Sequence, residues 1–263
     1  MDKIKKISYE EIKEIAVESG FDLDMLLKDY YLTVILFIIQ DVEGIYFKGG
    51  TALQKIFLNY ARLSEDLDFT ITRPLEEIKK EITARLKGSG LFHSITKDKD
   101  VEGFTRLIAH YKDFSNQDSE VFIDLNQKAS LLLKPETHQI RHFYKELLPD
   151  FSFSTLARDE MVAEKISAAI KRNKPRDHYD IYRIFELKIP IRFDLAKKKC
   201  EQGGIEFNII KIFNQAQKLK NRWDTDMIPL LPKKISFQEM IKKLAVNLKL
   251  KEEKEKLRDR KKH

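Results

Sequence analysis

The sequence predicts an α+β fold. A mixed sheet with flanking helices spans residues 1–150, and an α-helical domain with a basic C-terminal tail spans 151–263. Three observations carry this. Short apolar runs of strand length alternate with helical periods through the first half. From Asp159 onward the periods are helical only. A chain of 263 residues fits one large domain or two small ones.

The elements follow in order. Ile12, Ile15 and Ala16 recur at helical spacing over residues 8–19, with Ser8 and Glu11 placed as a capping box. Residues 22–40 form a second helix with a broad apolar face, on which Tyr30 and Tyr31 read as core. Gly44 precedes a short buried strand, Ile45-Tyr46-Phe47, and Gly49-Gly50-Thr51 then opens a helix to about Tyr60. Leu67–Ile71 is the next strand. Pro74 starts a helix to about Leu86, ended by Lys87-Gly88-Ser89-Gly90. Phe104–Tyr111 and Glu120–Leu125 read as a hairpin joined by the polar stretch 112–119. No strand is expected after Pro149. His138 and His142, at i,i+4 spacing on an expected helix, lack the glutamate of a His-Glu-x-x-His zinc site.

Composition sets the limits. At 42% hydrophobic and 35% charged residues, collagen-like and disordered classes are excluded. The single cysteine, Cys200, leaves no intramolecular disulfide and no cysteine-based zinc site, as suits a reducing compartment. The longest apolar run, 30–39, is too short to span a membrane, and the N-terminal residues lack the apolar core of a signal peptide, so a cytoplasmic protein is expected. Of the net charge of +7, +4 lies in residues 249–263. A basic tail permits nucleic-acid contact and equally fits a solvated, mixed-charge helix.

The chemistry concentrates at two places. Lys48-Gly49-Gly50-Thr51 joins a strand to a helix start. Glycine lets a ligand approach the backbone, the first helical N–H groups are unpaired, and the helix dipole favours an anion. A plain tight turn is the alternative. In Arg62-Leu63-Ser64-Glu65-Asp66-Leu67-Asp68-Phe69, Asp66 and Asp68 share one strand face. Two such carboxylates repel unless a cation sits between them, so Asp-x-Asp after a phosphate cradle reads as a Mg²⁺ site. Exposed, solvated acids on an edge strand are the alternative. Asp124 lies opposite the apolar face of Val121, Ile123 and Leu125. It is the candidate third carboxylate of a two-metal site, or else an ion-pair partner of a residue such as Arg106.

Lys48–Leu53 together with Arg62–Phe69 closely resembles the AbiEii/AbiGii toxin family of nucleotidyltransferases, within the DNA-polymerase-β-like superfamily. Glu164-Lys165-Ile166 followed by Arg176-Asp177-His178-Tyr179-Asp180 resembles that family's second block. The resemblance implies a polymerase-β-like domain followed by a helical one, with the nucleotide between them. It implies an NTP substrate, Mg²⁺ (or Mn²⁺), an RNA acceptor such as the 3′ end of tRNA, and a cognate antitoxin as partner. On these positions Asp66 and Asp68 would hold metal and Asp177 would be an active-site acid that orients Lys165, while Asp124, placed by its strand, would complete the metal site or act as general base. Lys48, Gly49, Gly50, Thr51, Ser64, Lys165 and Arg176 would bind the nucleotide. A charged modification of Ser64 would lie against Asp66 and Asp68 and should inactivate.

Periodicity places Lys165, Asp177 and Asp180 on inward helix faces, where a structural ion pair between helices is the alternative. Arg172 and His178 also fit the Arg-x5-His pattern of HEPN-type ribonucleases, with Pro175 interrupting it. That competing reading is a metal-independent ribonuclease; a third is a non-catalytic RNA- or partner-binding module. Trp223 could stack a base or fill a helical core.

Overall fold

In the computed structural model, residues 4–128 and 130–260 are described; the first three residues and the end of the basic tail, 261–263, lie outside them. Ser8 and Glu11 form the reciprocal capping box that opens α1 (Tyr9–Ser19), and Gly20 at φ 75° ends it. Asp22 caps α2 (Leu23–Ile38), which is buried continuously from Asp29 to Leu36. β1 (Ile45–Lys48) runs directly into α3 (Gly49–Ile56). That helix ends at Ile56, and left-handed backbone at Asn59 and Tyr60, φ 52° and 51°, keeps it from reaching Tyr60. β2 (Asp66–Ile71), α4 (Leu75–Gly88), β3 (Ser94–Val101), β4 (Phe104–Lys112), β5 (Asp118–Asn126), β6 (Glu136–Gln139) and β7 (Ser152–Thr155) follow.

The seven strands form one mixed sheet in the order β3-β4-β5-β2-β1-β7-β6. β1 and β2 are antiparallel, β2 and β5 parallel, and β4 and β5 a hairpin. Phe47, Phe69 and Phe153, from three neighbouring strands, meet in the core on one face.

Three strands lie where none is expected. β3 (Ser-Ile-Thr-Lys-Asp-Lys-Asp-Val) is an exposed edge strand, so its charged residues hide the period-2 signal. β6 and β7 are four residues each and form through pairing of β7 with β1, a contact across more than a hundred positions. His138 therefore sits on β6, and His142 follows it outside any helix. β7 also carries the first compact unit to Ala157, past the expected boundary at 150; the second begins at Arg158.

The second unit is helical throughout its regular elements: α5 (Arg158–Lys171), α6 (Pro175–Glu186), α7 (Phe193–Gln202), a 3₁₀ turn (Ile209–Phe213), α8 (Ala216–Met227), a 3₁₀ turn (Ile228–Leu230), α9 (Phe237–Asn247) and α10 (Leu250–Arg260). Pro175 at the first position of α6 separates it from α5. Trp223 is core: its Nε1 donates to the Ile235 carbonyl at 2.9 Å and its ring packs on Tyr179 and Phe237. Cys200 is a buried free thiol. Among the described residues no helix is long and apolar enough to cross a membrane.

Candidate active site

The junction of β1 and α3 is built around glycine. Gly49 has φ +78°, and a Cβ there would overlap the Asp68 carboxylate. A Cβ on Gly50 would stand 2.8 Å from Arg62 Nη2 and 3.2 Å from Ser64 Oγ. Thr51 is buried, and its hydroxyl donates to the Asp66 carbonyl. No side chain caps α3, so its leading amides keep the donor capacity and positive dipole end that suit an anion. Lys48, Gly49, Gly50, Thr51, Ser64, Asp66 and Asp68 thus converge from the β1–α3 turn, from β2 and from the segment that leads into it.

Strand register extends this cluster sideways. Lys48 pairs with Asp68, Asp68 with Asp124, Asp124 with Arg106, and Arg106 with Lys99, one charged rung across five strands. Asp66 and Asp68 are half-buried. Asp124 takes the ion pair offered as the alternative to a metal role: Arg106 Nε and Nη2 each reach one of its oxygens at 2.7 Å. These bonds raise the Arg106 pKa against partial burial, and Asp66 adds to the attraction. Asp66 and Asp68 supply hard oxygen donors beside a phosphate-type cradle, which suits Mg²⁺. Asp124 fits by position, with its oxygens bonded to a guanidinium. Among the described residues no group of three or more potential ligands converges as a metal centre.

In the second unit, Lys165 lies between two carboxylates, Asp177 at 3.0 Å and Asp180 at 2.9 Å. Arg172 joins them, its Nε 2.9 Å from Asp177 Oδ2. Burial alone would raise the Asp177 pKa, but Lys165 and Arg172 hold it well below the usual carboxylate range. Arg176 is half-buried on α6, adjacent to this cluster in sequence. Glu164 pairs with Lys199 at 3.0 Å, and Lys199 also meets the fully buried Glu160 at 2.6 Å. His178 is fully buried, with Nδ1 3.1 Å from the Lys174 carbonyl and Nε2 2.7 Å from that of Ile212. Both ring nitrogens face backbone oxygens, so the geometry gives this histidine a structural role and offers no support to the ribonuclease reading.

One cluster has no counterpart in the sequence reading. Lys55, on α3 and 0% exposed, pairs with Asp29 of α2 at 2.8 Å and donates to Thr33 Oγ1 and the Tyr60 hydroxyl. Tyr144 donates to Asp29 Oδ2 at 3.1 Å. Burial depresses the Lys55 pKa against the pull of Asp29, and burial pushes the Tyr60 and Tyr144 hydroxyls well above their ordinary value. The network braces α3 from behind. Asp29, an acid within an apolar helix, is the signal that could have found it.

A family profile described as nucleotidyl transferase AbiEii toxin, type IV toxin–antitoxin system, matches residues 34–251. Among solved structures, a protein from Helicobacter pylori assigned as a nucleotidyltransferase aligns at TM-score 0.61 and 19% identity, covering 90% of this chain and 99% of that one. MenT4, a nucleotidyltransferase toxin from Mycobacterium tuberculosis, aligns at TM-score 0.60 and 20% identity, covering 81% and 73%. These two share the fold. No curated protein gives a significant match.

Proposed function

The chain belongs to the AbiEii family of nucleotidyltransferase toxins of type IV toxin–antitoxin systems, and from that premise we propose that it transfers a nucleoside monophosphate from an NTP to the 3′ end of tRNA, releasing pyrophosphate. The observation that carries this reading is the abutment of Gly49 on Asp68. It sets an anion cradle directly against a pair of carboxylates.

In this reading Asp66 and Asp68 hold Mg²⁺ or Mn²⁺, with Asp124 as a third ligand or as the base toward the attacking hydroxyl. Such an ion, when bound, offsets charge on the phosphate oxygens. The Gly49, Gly50 and Thr51 amides and Lys48 hold the β- and γ-phosphates, and Ser64 beneath Gly50 orients that turn. Lys165, fixed by Asp177, counters the charge of the leaving pyrophosphate, with Arg176 assisting. Preorganised charge of this kind is the main contribution a protein makes to phosphoryl transfer. Each Asp124 oxygen accepts one bond from Arg106 and keeps a further lone-pair site. Ser64 is 3% exposed; a charged group added there would press on Asp66 and Asp68 and abolish transfer. The proposed setting is the cytoplasm, with a cognate antitoxin as partner.

The test is mass spectrometry of tRNA after incubation with the protein, Mg²⁺ and the four NTPs. A gain of whole nucleotide residues at the 3′ end supports the reading. Unchanged or shortened tRNA overturns it.

A further inference from the structure

Beside the carboxylates, β4 and β5 leave one sheet face partly open. Phe104, Arg106 and Ile108 of β4 and Phe122 of β5 are half-exposed, whereas the alternate residues Thr105, Leu107, Ala109, Val121 and Ile123 are buried. Phe122 is in register with Asp66 on one side and Ile108 on the other. The Arg106 guanidinium lies over its ring, 5.1 Å from the centroid. Arg106 uses Nε and Nη2 on Asp124, which fixes the plane of the guanidinium beside the ring.

We propose that Phe122 and Arg106 form a stacking surface for the base of the acceptor's terminal nucleotide. This rests on the reading above, that the site transfers a nucleotide to RNA. In an in-line displacement the leaving and attacking oxygens lie on opposite sides of phosphorus. The cradle that would hold the leaving pyrophosphate is at β1 and α3, and the sheet order then runs through β2 to β5 and β4. The attacking hydroxyl therefore approaches from the β5–β4 side, where Phe122 stands next to Asp66. A group carried beside that hydroxyl must be flat and apolar on its face. A nucleobase meets this requirement, and bases stack on both aromatic rings and guanidinium planes. An extended polypeptide acceptor would seek a free strand edge, but β4 and β5 are each paired on both sides.

The test is equilibrium binding of two short, 5′-fluorescent single-stranded RNAs to the full chain carrying Asp68→Asn, which prevents turnover. The RNAs are identical except that one lacks the base of its 3′-terminal nucleotide. With Phe122 present, removal of the base should weaken binding about tenfold, within the range for one base stacked on one aromatic side chain. Phe122→Trp should keep this ratio. Phe122→Ala should bring it to about one, with an unchanged melting temperature showing that the fold survives. A ratio that Phe122→Ala leaves unaltered overturns the proposal, as does a chain with Phe122 intact that ignores the base or binds neither RNA. Mass analysis of tRNA judges the transfer reading separately. RNA extended by a protein whose binding ignores the terminal base would sink the stacking surface alone.

Discussion

Arg106 grips both oxygens of Asp124, through Nε and Nη2, at 2.7 Å each. The pair belongs to the charged rung that begins with Lys48 and Asp68 and runs on to Lys99. Its cation offsets the Asp124 charge and also attracts Asp66. Arg106→Met should therefore cost about 1.5–3 kcal/mol in urea denaturation, the range for hydrogen bonds to a charged group. Adding Asp124→Asn should restore part of the loss, because the uncompensated carboxylate is gone. Equal and additive losses from the two changes would show that the residues act independently.

Gly49 and Gly50 are adjacent but not equivalent. Gly49 combines a left-handed φ with Asp68 where a Cβ would be, whereas Gly50 meets chiefly the far end of Arg62. Gly49→Ala should cost at least the ~1–2 kcal/mol of a left-handed non-glycine residue and should also displace Asp68. Gly50→Ala should cost less in stability. Thermal melts of the two variants check the order; a larger loss for Gly50→Ala would contradict it.

The buried Lys55–Asp29 pair predicts a sharper asymmetry. Lys55→Met leaves Asp29 buried without its cation and should destabilise by about 3–5 kcal/mol. Lys55→Met combined with Asp29→Leu should be markedly more stable than Lys55→Met alone. Chemical denaturation of the three variants distinguishes this from simple loss of packing, in which the double change would be the worst.

Asp177 yields a pH prediction. Its native pKa lies below the ordinary 3.8, so the unfolded chain binds the proton more readily. The resulting stability is present above about pH 4 and is lost as pH falls through the depressed native value. Asp177→Asn should therefore cost most at neutral pH, and its deficit should shrink as pH drops below 4. A deficit that grows on acidification would reverse the sign argued here.

The legible parts of the fold are those whose signal is local. β1, β2, β4 and β5 show apolar faces at period 2, and Ser8 with Glu11 marks a helix start by itself. β3 is hidden by the charges that protect a sheet edge. β6 and β7 exist through pairing far along the chain. The same division holds at the site. The glycine turn and the two aspartates of β2 are short contiguous motifs, and helix periodicity turns Lys165 and Asp177 inward, though not onto each other. Lys55 and Asp29 sit on different helices, 26 positions apart in sequence, and no periodicity links them. Asp124 and Arg106 are cross-strand partners. Strand register, not any local pattern, brings the two side chains together.

Transfer of a labelled nucleotide to RNA tests the account most directly. The full chain, its Asp68→Ala variant and its His178→Gln variant would each be incubated with total tRNA, Mg²⁺ and one α-³²P-labelled NTP at a time. Products would be resolved on a denaturing gel. The account predicts label in full-length tRNA with at least one NTP, absent with Asp68→Ala and retained in whatever fraction of His178→Gln stays folded. Unlabelled, shortened tRNA that persists with Asp68→Ala and disappears with folded His178→Gln would contradict it.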